Sequence, residues 1–444
     1  MRRGGVLCHL TSLPSGKLGP DAFTFIDLLS EAGISVWQML PISPPDEHGS
    51  PYASPSAFAG SIELCDPSFE EGPDQEFITG FLEENGHWAW DWALFDALKE
   101  ENNGAPWIEW PDDIRTRDTT ALAAAAKRLH GEVQKRIELQ ARFERDWLIL
   151  RHYADSRGVQ LYGDMPIFVA HDSADVWARP HLFQLNQDGT PAVVAGVPPD
   201  YFSEDGQRWG TVLYNWDAHA MEMFTWWRLR ISRMRSLFDF VRIDHFRGID
   251  SAWAIPANDD HARNGEWQAG PGDAFVKTIL TVTEPHSLFA EDLGIIPDSV
   301  KMLRKRHGLA GMAVLHFAFD DENPNNPHRP ENIQEDQIVY SGTHDNDTTV
   351  GWWKNSPAER RTRVLEHLEK GEKPHDTLIR LAMNSPARLA VIPLQDVFGI
   401  EGRMNTPGTP HGNWQWKFEW DQFDVSAWEA LKKCVAMSGR AHEE

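Results

Sequence analysis

The chain has 444 residues and a formal charge of -25, from 42 Lys+Arg against 67 Asp+Glu. That length admits two or three ordinary domains or one large α/β barrel with insertions, and the acid excess argues against a nucleic-acid-binding surface, which needs clustered Lys and Arg. The apolar fraction of 41% and charged fraction of 25% fit a soluble globular protein rather than a disordered one, and the outlying number is 20 Trp beside 6 Tyr.

The first residues, MRRGGVLCHLTSLPSG, hold too short an apolar stretch for a secretory leader and enter strand-like sequence directly. Short runs rich in Val, Ile, Leu and Phe recur at 5–10, 35–40, 159–168, 238–244, 287–292, 313–319, 337–343 and 389–394. Helical patterns fall between them at 20–32 (Phe23, Ile26, Leu28 and Leu29 near one face), 115–156, 221–237, 298–307 and 427–437, the last with a frayed tail. Eight buried parallel strands alternating with helices predict an α/β fold, a (β/α)8 TIM barrel, which takes about 250 residues. The rest falls into two insertions. Residues 41–158, between strands two and three, read as a helical subdomain with Trp88, Trp90, Trp92, Trp107 and Trp110. Residues 169–237, between strands three and four, read as a cleft lid and helices, so that 1–444 form a single catalytic barrel. No apolar run approaches the ~20 residues of a bilayer span. Cys8, Cys65 and Cys434 make no CxxC pair and no disulfide framework, which fits a reducing cytoplasm. Neither nucleic acid nor membrane is expected as a partner.

Active residues of such a barrel sit where strands end on its C-terminal face. Three strands end in acids. FDFVRIDHFRG puts Phe240, Arg242 and Asp244 on one face and Val241 and Ile243 on the other; SLFAEDLG ends in Glu291 and Asp292; IVYSGTHDND aligns Thr343 with Asp345. A lone strand-end acid is usually a cap or turn residue, and Asp292, Asp298 and Asp347 are read that way. Three acids that a barrel can converge on one pocket suit glycosidic-bond chemistry, which needs a carboxylate nucleophile and a protonated acid. No GxxxxGK(S/T) or GxGxxG run supports nucleotide binding. A metal site from His245, His344 and the acids is disfavoured, because adjacent strand residues point to opposite faces. The tryptophan surplus suits sugars, whose C–H faces pack on aromatic rings. Tyr52, Tyr201, Phe202, Trp209 and Trp253 are the candidates, with most other tryptophans expected in the core.

The segments RGGVLCHLTSLPSG, WQMLPISP, GSPYASPSAFAG, GDMPIFVAHDSADVWA, GVPPDYFSEDGQRWG, VRIDHFRG, AEDLG, SGTHDND and GRMNTPGT resemble, in order, the 4-α-glucanotransferases (amylomaltase or disproportionating enzyme) of glycoside hydrolase family 77, in the α-amylase clan. The resemblance implies a (β/α)8 barrel that moves α-1,4-glucan segments between maltooligosaccharides by a retaining double displacement, with no cofactor or metal. By motif position, Asp244 would be the nucleophile, Glu291 the general acid and then base, and Asp345 the stabiliser of the transition state. Arg242 would hold Asp244 ionised, and Glu291 would need a raised pKa. His245 and His344 would hydrogen-bond the sugar at the cleaved end. Ser50, Tyr52, Asp164, Gln207, Trp209 and Asn405 match glucan-contacting positions. Tyr201 and Phe202 would cap the cleft and favour a sugar acceptor over water. The chain departs from the family pattern at Thr211-Val212, in place of Asn-Pro, and at His316, in place of Gln. Neither change removes an acid. Two further readings are an α-1,4-glucan hydrolase of the same clan and a non-catalytic glucan-binding protein; the intact acids weigh against the second.

Overall fold

The computed structural model describes residues 2–69, 71–199, 204–409 and 411–442. Among the described residues there are twelve strands: β1 Arg3–Leu7, β2 Val36–Gln38, β3 Gln160–Met165, β4 Val193–Val197, β5 Gln207–Val212, β6 Phe240–Ile243, β7 Ser251–Pro256, β8 Glu266–Ala269, β9 Leu288–Ala290, β10 Gly311–Val314, β11 Gln337–Tyr340 and β12 Leu389–Pro393. Eight of them pair in the order β10-β11-β12-β1-β2-β3-β6-β9, every pair parallel. A parallel bridge between Phe289 and Ala310 joins the two ends of that order. The ring is a (β/α)8 barrel, and its eight strands fall within or beside the eight apolar runs.

Period-two alternation sorts each strand into an inner and an outer row. Leu7, Val36, Tyr162, Phe289, Met312, Val314, Ile338, Tyr340, Leu389 and Val391 form one buried cluster inside the barrel. Val6, Trp37, Leu161, Val241, Ile243, Leu288, Val339 and Ile392 belong to a second cluster, shared with the helices. Aromatic rings fill the interior: Tyr162 meets Phe289 edge-on at 5.2 Å, and the Tyr340 hydroxyl donates to that of Tyr162 at 3.3 Å. The alternation that turns Tyr162 inward also turns Asp164 inward. Gly163 between them faces Phe238, whose ring lies 2.3 Å from where a Cβ would sit.

Between β2 and β3 the helices Gln75–Glu101 and His130–Ser156 pack along each other. Their tryptophans are structural. Trp88, Trp92, Trp107 and Trp110 are buried, and only Trp90 of that group is exposed. Gln140 exchanges two hydrogen bonds with the backbone of Gly60, at 2.9 and 3.0 Å, and Glu144 pairs with Arg233 at 2.6 Å. The insertion thereby braces the loop that carries Ser50 and Tyr52. Trp147 is fully buried; its indole donates to the Leu237 carbonyl at 2.8 Å and lies edge-on to Phe238 at 5.2 Å.

Several elements differ from their sequence reading. The 115–156 helix is broken into Asp112–Arg115, Thr119–Arg128 and His130–Ser156, because Arg117 adopts φ 59 and Asp118 caps the next helix. The 221–237 helix is instead Trp216–Met221 and Thr225–Leu237, separated by Met223 and Phe224, both at φ 53. β10, the sixth strand of the barrel along the chain, ends at Val314, and Leu315–Ala318 turns helical. On the helix Pro20–Glu31, Phe25 joins Ile26 and Leu29 as fully buried, while Phe23 and Leu28 are half-buried against the same core. The C-terminal tail is not frayed at Arg440, which is buried and donates to the Arg3, Met383, Ser385 and Ala387 carbonyls. A feature the sequence reading lacks is a second, antiparallel sheet in the order β5-β4-β7-β8. It rises beside the barrel mouth, because β7 begins directly after the turn that follows β6.

Replacing Trp147 with Ala removes the contact that ties insertion to barrel. It is expected to cost about 3–5 kcal/mol, read as a drop in thermal midpoint; Trp147→Phe should lose distinctly less.

Candidate active site

The barrel ladder continues one step past the formal strand ends. The Asp244 amide donates to the Met165 carbonyl at 3.0 Å, and the Glu291 amide donates to that of Ile243 at 3.0 Å. Asp244 and Glu291 therefore leave the barrel mouth from backbone that is still paired. His245 follows in a left-handed conformation, φ 51, which is costly for a non-glycine residue and is tolerated where surroundings fix it. Its amide donates to Glu291 Oε2 at 2.7 Å, while the Leu293 amide donates to Oε1 at 2.8 Å. Asp345 does not continue a strand with Thr343, as expected. β11 stops at Tyr340, and Asp345 sits in the following turn, where Asn405 Nδ2 donates to its Oδ1 at 2.6 Å and Arg403 donates to its carbonyl at 2.7 Å.

Beneath these acids lies a buried charge network. Arg242 donates to Asp164 through Nε at 2.8 Å and Nη2 at 2.5 Å, and through Nη2 to Asp244 Oδ1 at 2.9 Å. The Tyr52 hydroxyl donates to Asp164 Oδ2 at 2.6 Å. With that proton committed, the His344 Nε2 only 2.9 Å away must be the donor to the Tyr52 oxygen. Burial holds His344 below its ordinary pKa and pushes His245 down to about 4, so both rings are neutral near pH 7.

The carboxylates respond to the same burial. Glu291 is pushed up to about 6 by desolvation, against Arg242 and its two backbone donors. Asp244 also lies well above the usual carboxylate range, although Arg242 acts on it in the expected direction, toward the ionised form. Burial is the largest cause, and Arg242 opposes it while Asp164, Glu291 and Asp345 add to it. The guanidinium carries one charge, and Asp164 already takes two of its hydrogen bonds. Asp292 is neither cap nor free turn residue: it accepts from the Met312 amide at 2.8 Å and pairs with Arg304 at 3.0 Å.

An open cleft of about 1690 Å³ joins these groups. Its wall includes the three acids with Arg242, His245 and His344. Ser50, Tyr52, Gln207, Trp209 and Asn405 complete the expected set that faces it. Asp164 lies below, reached through Tyr52 and Arg242. Tyr201 and Phe202 lie outside the described residues. Trp209 stands edge-on to His245 at 4.8 Å, with Phe168 beside both. Trp253 is not on this wall; its indole donates to Ala262 and its ring packs on Trp267. The sequence reading missed Phe168, Arg403 and Trp414. Phe168 and Arg403 lie in the segments GDMPIFVAHDSADVWA and GRMNTPGT but are not themselves acids at a strand end, and Trp414 belongs to a loop without strand or helix. Among the described residues, no group of three His, Cys, Asp or Glu is placed to hold a metal ion.

The family model described as 4-alpha-glucanotransferase, glycoside hydrolase family 77, matches residues 8–76 and 67–422. This chain belongs to the 4-alpha-glucanotransferase family. The enzyme of that name from Thermus thermophilus is 42% identical over 94% of each chain, and that from Aquifex aeolicus is 38% identical over 99% of this chain and 100% of its own. A solved amylomaltase from Streptococcus agalactiae, in complex with acarbose, superposes with a TM-score of 0.95 at 32% identity and covers 100% of both chains. Asp244, Glu291 and Asp345, singled out from the sequence of this 4-alpha-glucanotransferase family member, all face one cleft.

Asp164→Asn removes one of the carboxylates that raise Asp244. The Asp244 pKa should fall, so the acid limb of kcat/KM should move to lower pH, where more of the residue is ionised. An unmoved limb would place its origin elsewhere.

Proposed function

We propose that this chain transfers α-1,4-linked glucan segments between maltooligosaccharides, through a covalent β-glucosyl-enzyme on Asp244. The observation that carries the reading is the convergence of Asp244, Glu291 and Asp345 on one cleft, within a chain of the 4-alpha-glucanotransferase family. Glu291, whose carboxyl burial raises to about 6 so that a protonated fraction persists near neutrality, gives its proton to the glycosidic oxygen. Asp244 attacks the anomeric carbon from the opposite side as that C–O bond breaks, and the shortened glucan leaves with the proton. The Glu291 carboxylate then takes the proton of an incoming 4-hydroxyl, whose oxygen displaces Asp244 and restores the α-linkage. Asp345, oriented by Asn405, receives sugar hydroxyls at the transition state. His344, whose Nε2 proton goes to Tyr52, keeps Nδ1 to accept from a sugar hydroxyl, and His245, whose Nε2 is buried without a partner among the described residues, supplies a second hydrogen bond to the same sugar.

Water and sugar compete for the intermediate. Trp209, 39% exposed at the cleft edge, offers a stacking face to the acceptor and displaces water from the Glu291 side; Tyr201 and Phe202 belong to the same lid in this reading. Residues 1–444 act as one catalytic barrel, with 41–158 as its helical insertion and 169–237 as lid and helices. A cytoplasmic location fits three free cysteines, and no described helix is long and apolar enough to cross a membrane.

With maltotriose the expected products are glucose plus longer oligosaccharides at a constant reducing-end count; a rising count would favour the hydrolase reading. Trp209→Ala should shift that balance toward hydrolysis. Glu291→Gln should lower turnover of maltotriose by roughly 10²–10⁴-fold. It should largely spare glycosylation by an α-maltosyl fluoride, whose leaving group needs no proton. Equal loss with both donors would remove Glu291 from the acid role.

A further inference from the structure

Trp414 adopts φ 65, a conformation that is a genuine outlier for so bulky a side chain and that concentrates at ligand-binding sites. Its surroundings enforce the strain. Its amide donates to the Met404 carbonyl at 2.7 Å. Next to it, Asn413 accepts from the Thr406 amide at 2.8 Å and donates to the Thr409 carbonyl at 2.8 Å. The ring is only half-buried. It lies 5.4 Å from the Tyr52 ring and 6.2 Å from His344, and it lines both the catalytic cleft and an adjoining cavity of about 730 Å³. Glycine or asparagine would occupy this backbone position at lower strain.

The two aromatic walls of the cleft are tied to different catalytic groups. Phe168, Trp209 and His245 stand together, and His245 is bonded to Glu291. Since Glu291 serves the departing and incoming oxygens, that wall faces the leaving group and acceptor. Tyr52, His344 and Trp414 form the other wall, beside Asp345 and its partner Asn405.

We infer that Trp414 is a specificity-determining residue for the donor: its strained backbone presents the indole as a stacking platform for the glucose units beyond the one being transferred from, on the side away from Trp209. The inference rests on the functional reading above, because that reading assigns the Glu291 side to the acceptor. A longer donor then gains binding energy at Trp414 that maltotriose gains only in part, and an acceptor gains none.

The test compares kcat/KM for maltoheptaose with that for maltotriose, alongside the KM of glucose as acceptor, in wild type, Trp414→Ala, Trp414→Phe and Trp414→Gly. The maltoheptaose-to-maltotriose ratio should fall about tenfold in the Ala and Gly variants, the order expected for losing one aromatic contact surface. Trp414→Phe should restore most of that ratio, and the acceptor KM should change less than about twofold. Trp414→Gly relieves the left-handed backbone, so its thermal midpoint should not lie below that of Trp414→Ala. An unchanged donor ratio in a folded variant would overturn the inference, as would equal losses toward donor and acceptor or variants that fail only by unfolding. A wild type that yields no longer oligosaccharides from maltotriose would instead refute the functional reading.

Discussion

The active end of this barrel is organised around one buried guanidinium. Arg242 points into the barrel because strand alternation puts it in the inner row with Phe240, and there it meets Asp164 from β3 and Asp244 at the tip of β6. A buried cation must be paired, and two carboxylates compete for it. Asp164 takes the bidentate share and passes the constraint outward through Tyr52 to His344, next to Asp345. Loops from β2, β3, β6 and β11 are thereby referenced to a single charge. The same sharing leaves Asp244 one hydrogen bond from Arg242, against which burial raises its pKa. In the proposed mechanism a substrate that develops positive charge beside Asp244 adds to what Arg242 supplies.

The rest of the fold serves that arrangement. Aromatic rings close the barrel interior below Arg242, so water cannot reach the charge cluster from beneath. The insertion helices clamp the backbone at Gly60 through Gln140 and thereby steady the Tyr52 loop. The second sheet carries Gln207 and Trp209 on β5 and rises where β6 ends. The tryptophan surplus divides accordingly: rings such as Trp37, Trp147, Trp177 and Trp227 are fully buried, while Trp209 and Trp414 face the cleft.

The barrel was legible in the sequence because its strands are buried on both faces, and so appear as unbroken Val, Ile, Leu and Phe runs between helical patterns. The second sheet was not legible. Its strands, such as QRWGTV and EWQA, are half-exposed, rich in Gly and Gln, and carry no clear alternation. Helix breaks at Arg117 and Met223–Phe224 use left-handed residues that are not glycine, so no local signal marks them. The three acids stood out from their strand-end positions, and their likeness to a family supplied the surrounding contacts. The opposing pull of Asp164 on Asp244 could not be read in advance, since it depends on how two strands place three charges within hydrogen-bonding distance. Trp414 was invisible for a related reason: its significance lies in a backbone angle and in a cleft wall, not in a motif.

The central claim is that Asp244 forms a covalent bond to the transferred glucan. A fluorinated maltosyl fluoride, which glycosylates the enzyme but is slow to leave it, tests this most directly when followed by proteolysis and mass spectrometry. The account predicts one maltosyl adduct, on the peptide VRIDHFR at Asp244. An adduct on Glu291 or Asp345, or an enzyme that turns over this donor while remaining unlabelled, would contradict it.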